Sequence, residues 1–171
     1  MGISIDMFAK SYKANSKAKD KTFEEFIKKH IITTYIPYST KYVQCVDIIN
    51  KTTRFKDGNR EVIRIDSAMQ YLFTTMKLIE LYTDIEFDKT KVMDEYDKLN
   101  EIGAIDELIK SIPPAEYAEF STLLNMKMDD FYRNEYSLEA LLYNLKESFS
   151  ISEEVINSVL DEVKNKIELP N

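Results

Sequence analysis

A chain of 171 residues with one histidine and one cysteine has little to do chemistry with. His30 is the sole imidazole, and no nucleophile or orienting partner stands near it in sequence. The reading is therefore a boundary residue near a helix end rather than a general base. Cys45 falls on an apolar helical stripe, where a thiol is buried and inert. One His and one Cys do not make a zinc site. The three glycines, at 2, 58 and 103, are too scattered for a phosphate-cradling loop, and GxxxxGK[ST], GxGxxG and GxSxG are absent.

Carboxylates are the abundant functional group. Asp84, Glu86 and Asp88 come first, then Asp94, Glu95 and Asp97, then Asp106 and Glu107, then Asp129 and Asp130. Adjacent pairs such as Asp94-Glu95 and Asp129-Asp130 are the type of group that holds Mg²⁺. A di-metal bundle also needs Glu-x-x-His, which the chain lacks. Acidic pairs of this kind ordinarily form a solvated helix face. The sequence therefore leads to no metal, no cofactor and no enzymatic activity as the expectation.

The charge is unevenly placed. Residues 1–77 hold 14 Lys/Arg against 8 Asp/Glu, and residues 78–171 hold 9 against 22, giving −7 for the chain. A basic front and an acidic back suit head-to-tail association. The Lys-rich start is interleaved with Tyr12, yet a pI near 4.9 repels nucleic acid over most of the surface. Direct nucleic-acid binding is thus not expected. Carboxylates spaced like phosphates leave a nucleic-acid mimic as an alternative.

Eleven Tyr, nine Phe and seven Met without a Trp are mostly core. Tyr is also enriched at protein interfaces, and partial exposure is expected for Tyr35, Tyr38, Tyr132, Tyr136 and Tyr143. The partner-binding candidates are Lys10, Lys13 and Lys17; Tyr35 and Tyr38; Asp94 and Glu95; and Asp129, Asp130, Tyr132 and Tyr136.

Three Gly and four Pro allow few tight turns, which favours long helices. The expected fold is mainly α: an irregular bundle of five to seven helices with one β-hairpin at about 52–65. Residues 1–21 read as a basic arm, and 22–171 as one helical domain. Thr22-x-x-Glu25 is a capping box opening a helix that Pro37 stops. The next helix, from about Ser39, has Tyr42, Val43, Cys45, Val46 and Ile49 as its stripe. Asp57-Gly58 marks the hairpin turn. Asp66 or Ser67 caps a central helix carrying Met69, Leu72, Phe73, Met76, Ile79 and Tyr82. Val92, Met93, Tyr96 and Leu99 face inward on a shorter helix stopped by Gly103. Ala104–Ile112 is followed by Pro113-Pro114 and a helix through Tyr117, Phe120, Leu123, Leu124, Met128 and Phe131. A break near Asn134–Ser137 precedes Leu138–Leu145, and Ser152-Glu153-Glu154 opens a last helix. No apolar run reaches the roughly 18–20 residues of a membrane span, and no signal-peptide apolar region is present.

Three segments together resemble small proteins encoded among the head and tail genes of tailed phages of low-GC Gram-positive bacteria. They are Ile36-Pro37-Tyr38 with the following helix, Ile65-Asp66-Ser67-Ala68 leading to Tyr82-Thr83-Asp84-Ile85, and the Ile112-Pro113 break after the Gly103-containing helix pair. The resemblance spans about residues 22–150 and is one of layout; it transfers no site residues. It implies a non-enzymatic virion or assembly accessory protein of the head–tail connector or assembly-factor class. Its partners would be itself and other virion or assembly proteins, and its place the virion or host cytoplasm. The alternative is a phage-encoded acidic inhibitor of a host nucleic-acid-binding defence protein.

Overall fold

The computed structural model describes residues 2–17, 21–58 and 60–136, with Leu141, Leu142, Glu154, Val155, Asn157, Ser158 and Asp161 beyond them. At Lys21, Asp57, Arg60, Glu61 and Tyr136 it describes the backbone alone. The chain is mainly α, with seven helices and a small antiparallel strand pair among the described residues. It falls into two compact units, Met1–Lys127 and Met128–Asn171.

The first unit departs from expectation at its start. Residues 1–21 are not an arm. β1 (Ile3–Ser4) leads into α1 (Ile5–Asn15), whose Ile5, Phe8 and Tyr12 are buried at i, i+3 and i+7. These three side chains join Ile27, Ile79, Ile85, Leu99, Ala104, Ile105 and Leu108 in one core cluster. Four spaced apolar residues among lysines suggested a tether. Their helical spacing instead puts Ile5 and Phe8 inward and the lysines outward. The Tyr12 hydroxyl donates to the Gly103 carbonyl at 3.1 Å, which ties α1 to the turn at Gly103.

α2 (Lys21–Lys29) ends at His30, well before Pro37. Residues 31–34 are Ile-Ile-Thr-Thr, a β-branched run that favours extended backbone. That segment bonds across to the end of α4: Ile31 bridges Thr83, Ile32 N–H donates to Tyr82 O at 2.9 Å, and Asp84 N–H donates to His30 O at 3.0 Å.

α3 (Tyr38–Thr53) buries Lys41, Cys45, Ile48, Ile49, Thr52 and Thr53. The expected stripe is rotated: Val46 is half-buried, while Tyr42 and Val43 face outward. β2 (Arg54–Asp57) and β3 (Arg60–Ile63) form the expected hairpin, with Phe55 opposite Val62. Gly58 supplies the positive φ of 59° that the turn requires.

α4 (Ser67–Tyr82) is capped by Asp66, whose carboxylate accepts from Met69 N–H at 3.0 Å. It buries Thr75, Met76, Leu78, Ile79 and Tyr82, whereas Leu72 and Phe73 are half-buried. β4 (Ile85–Glu86) pairs in parallel with β1, Ile3 opposite Ile85. In α5 (Val92–Glu101) Leu99 is buried, but Met93 faces solvent, against expectation. Its helical position lies off the Tyr96–Leu99 face. Gly103, at φ 71°, makes the turn into α6 (Ala104–Ser111). α7 (Pro114–Tyr136) buries Glu116, Phe120, Leu123 and Leu124, while Tyr117, expected inward, is exposed.

In the second unit Phe131 and Leu142 are buried, and Tyr132, Leu141 and Val155 are exposed. The expected break at Asn134–Ser137 falls at the last described turn of α7. Leu138, Tyr143, Leu145 and the Ser152-Glu153 helix opening lie outside the described residues.

Candidate functional site

The most unusual group in the first unit is a fully buried lysine. Lys41 lies on the stripe that continues as Cys45, Ile48 and Thr52, so its stem runs into the core. An unpaired ammonium there would cost several kcal/mol. Two carboxylates of α7 meet it. Lys41 Nζ is 2.8 Å from Glu116 Oε2 and is also hydrogen-bonded to Glu119. Burial disfavours the charged lysine, but the hydrogen bonds and charges of Glu116 and Glu119 outweigh it and hold Lys41 above the ordinary lysine range.

Glu116 Oε2 is the node of the network. Besides Lys41 it accepts the Tyr82 hydroxyl at 2.7 Å and the Ile36 backbone N–H at 2.9 Å. Burial pushes its acidity toward the neutral form, and these three donors reverse that, keeping Glu116 below the ordinary glutamate range. Tyr82 moves the other way: burial first, then the adjacent carboxylate, raises its hydroxyl well above ordinary tyrosine. One oxygen thus joins α3, α4, α7 and the extended segment before Pro37.

A tyrosine platform stands above this node. Tyr35 and Tyr38 are 62% and 56% exposed, and Tyr42 and Val43 extend the surface along α3. Thr33 fixes Tyr35: its hydroxyl donates to the Tyr35 carbonyl at 2.8 Å and accepts the Tyr35 N–H at 3.2 Å. Lys41 Nζ lies 5.6 Å from the Tyr35 ring centre. Tyr38 and Tyr42, one helical turn apart, stack at 6.4 Å with planes 24° apart, and Lys127 Nζ sits 5.0 Å over Tyr42. Exposed amphipathic rings of this kind are suited to contact another protein.

Of the candidates read from sequence, Tyr35 and Tyr38 are both exposed, Tyr35 beside Lys41 and Tyr38 stacked on Tyr42. Lys10 and Lys13 lie exposed on a different surface, α1 against α5, in a shallow cleft with Ala9, Glu101 and the Asp6–Lys98 ion pair at 2.8 Å. Lys17 is exposed just beyond α1. Asp94 is exposed in the first turn of α5, while Glu95 is half-buried and accepts from Asp88 N–H at 2.8 Å. Asp129, Asp130 and Tyr132 are exposed in the second unit, where Tyr132 packs beside Phe131 at 6.5 Å; the Tyr136 side chain lies outside the description. Sequence reasoning missed Lys41, Glu116 and Tyr82. A lysine on the 41/45/48/52 stripe was the available signal.

His30 has a partner that sequence distance concealed. Its Nδ1 is 2.8 Å from Asp84 Oδ1, and its ring meets Phe8 and Phe26 edge-on at 5.0 and 4.9 Å. Asp84 orients the imidazole as in a base–carboxylate dyad, but the ring is packed into an aromatic cluster, so the pair acts as a clasp between the end of α2 and β4. Cys45 is buried, with its thiol pushed up to about 11 by burial. Among the described residues no group of three or more His, Cys, Asp or Glu could hold a metal ion, and no helix is long and apolar enough to cross a membrane.

No family model, curated protein or solved structure matches the chain.

Proposed function

We propose that this protein works without catalysis, by protein–protein contact, as a virion or assembly accessory protein of the head–tail connector or assembly-factor type. The observation that supports contact as its mode of action is the exposure of Tyr35, Tyr38 and Tyr42, with Tyr38 stacked on Tyr42 and Tyr35 beside the buried Lys41. The sequence layout supports the phage setting, through Ile36-Pro37-Tyr38, the Ile65–Ala68 approach to α4 and the Ile112-Pro113 break.

The acidic-mimic reading has less support. A mimic presents carboxylates without counter-charges. Here Asp6 pairs with Lys98, Asp88 with Lys91 at 3.8 Å and Glu107 with Lys110 at 3.1 Å.

The test is phage assembly with a Tyr35→Ala/Tyr38→Ala chain. Both side chains are exposed, so folding should be kept while joined heads and tails give way to unjoined particles in gradient fractions. Normal particle yield from a folded double variant would remove the platform as the contact surface. Absence of the wild-type chain from both particles and assembly intermediates would remove the accessory-protein reading itself.

A further inference from the structure

A second concave site lies away from the tyrosines, between α3, α4 and the segment entering α5. Ile48, Met69, Phe73, Met76, Phe87 and Val92 enclose a cleft of about 420 Å³. That lies within the range of small-molecule sites, roughly 300–1,000 Å³. The walls are apolar, and the charged groups stand with Asp47, Lys51, Lys77, Glu80 and Lys89.

The charges do not cancel. Lys51 Nζ pairs with Asp47 at 2.7 Å and lies 6.0 Å from the Phe73 ring centre, at the cleft itself. Lys77 pairs with Glu80. Lys89 has no ion-pair partner among the described residues. Three ammoniums against two carboxylates leave one positive charge beside an apolar cavity.

We propose that this cleft binds an amphipathic anion, an unbranched acyl chain bearing a carboxylate. The apolar walls take the chain, and Lys51 and Lys89 take the head. Met69 and Met76 are unbranched and polarizable, so they conform to a flexible chain better than β-branched residues do.

Calorimetric titration of the full chain with octanoate, decanoate and dodecanoate, below their micelle-forming concentrations, tests this. Affinity should rise by about ten-fold for each two methylenes buried. Dodecyltrimethylammonium, of equal chain length and opposite charge, should bind at least about ten-fold more weakly than dodecanoate. The Lys51→Glu/Lys89→Glu variant changes two exposed side chains and should lower dodecanoate affinity by about ten-fold or more, with unchanged helicity. Met69→Trp should fill the cleft and abolish binding; should that variant misfold, the charge-reversal variant still decides. No saturable dodecanoate binding, equal binding of the cationic amphiphile, or no change in the charge-reversal variant would each overturn the proposal.

Discussion

The Tyr82 hydroxyl donates to Glu116 Oε2 at 2.7 Å, and both residues are buried. The last turn of α4 and the first turn of α7 therefore meet through one hydrogen bond to a charged acceptor, a class worth about 1.5–3 kcal/mol. Tyr82→Phe removes that donor and keeps the ring. It should lower stability by about 1–3 kcal/mol in chemical denaturation. A loss below about 0.5 kcal/mol would show that the carboxylate is satisfied without it.

Lys41→Met should be more severe, at roughly 3–5 kcal/mol, because it leaves Glu116 charged and buried without its cation. Removing both partners should recover part of that loss. Lys41→Met/Glu116→Leu is expected to be more stable than Lys41→Met alone, a coupling read directly from a double-mutant cycle. Strict additivity would mean the two groups do not interact.

Stability should be flat near neutrality and fall on both sides. Glu116 is held below its ordinary value of 4.5, so its contribution is present above that pH and is lost as acid carries it through its lower folded value. Cys45, Tyr82 and Lys41 are all held above their ordinary values of 9.0, 10.0 and 10.5. Their contributions are present below those values and fade as pH rises above about 9, Cys45 first. Thermal melts from pH 3 to pH 11 check this; Cys45→Ala should delay the alkaline fall, and Lys41→Met should flatten the acid one.

Phe8→Ala should cost roughly 3–5 kcal/mol, since Phe8 is fully buried between α2 and the core. Deleting residues 1–17 should unfold the first unit. A truncated chain that melts where the full chain does would restore the view of this segment as an appendage. Leu78→Ala, fully buried on α4, should cost about 2–5 kcal/mol and Leu72→Ala less, because Leu72 is already half in solvent.

The elements legible in the sequence were those written in local chemistry. Asp57-Gly58 marked the hairpin because a positive φ needs glycine. Asp66-Ser67 marked the start of α4 as a pair of capping residues, and it is the Asp66 carboxylate that meets the N–H three residues on. Pro113-Pro114 divided α6 from α7 because proline suits a first turn and not an interior. What stayed hidden depends on distant partners. Lys41 looks solvated until Glu116 and Glu119, more than seventy residues away, are brought to it. His30 looks isolated until Asp84 arrives. The lysines of α1 masked a core helix because the composition of 1–21 is polar even though its spacing is helical. The expected partial exposure of Tyr35, Tyr38 and Tyr132 agrees with the structure.

The parallel pairing of β1 with β4 sets an order of events in time. Ile3 cannot meet Ile85, nor Tyr12 the Gly103 carbonyl, until about a hundred residues have been synthesised. At the usual 5–20 residues per second, the first helix waits on the order of 5–20 s for its partners. During that interval Phe8, Tyr12, Phe23 and Phe26 have only one another to pack against, and the side of the cluster that Ile79, Ile85, Leu99 and Leu108 will cover stays open. The nascent chain should therefore recruit a ribosome-associated holdase early and release it only once Leu108 has emerged. A pause placed before α5 should prolong that occupancy, and one placed after α6 should not.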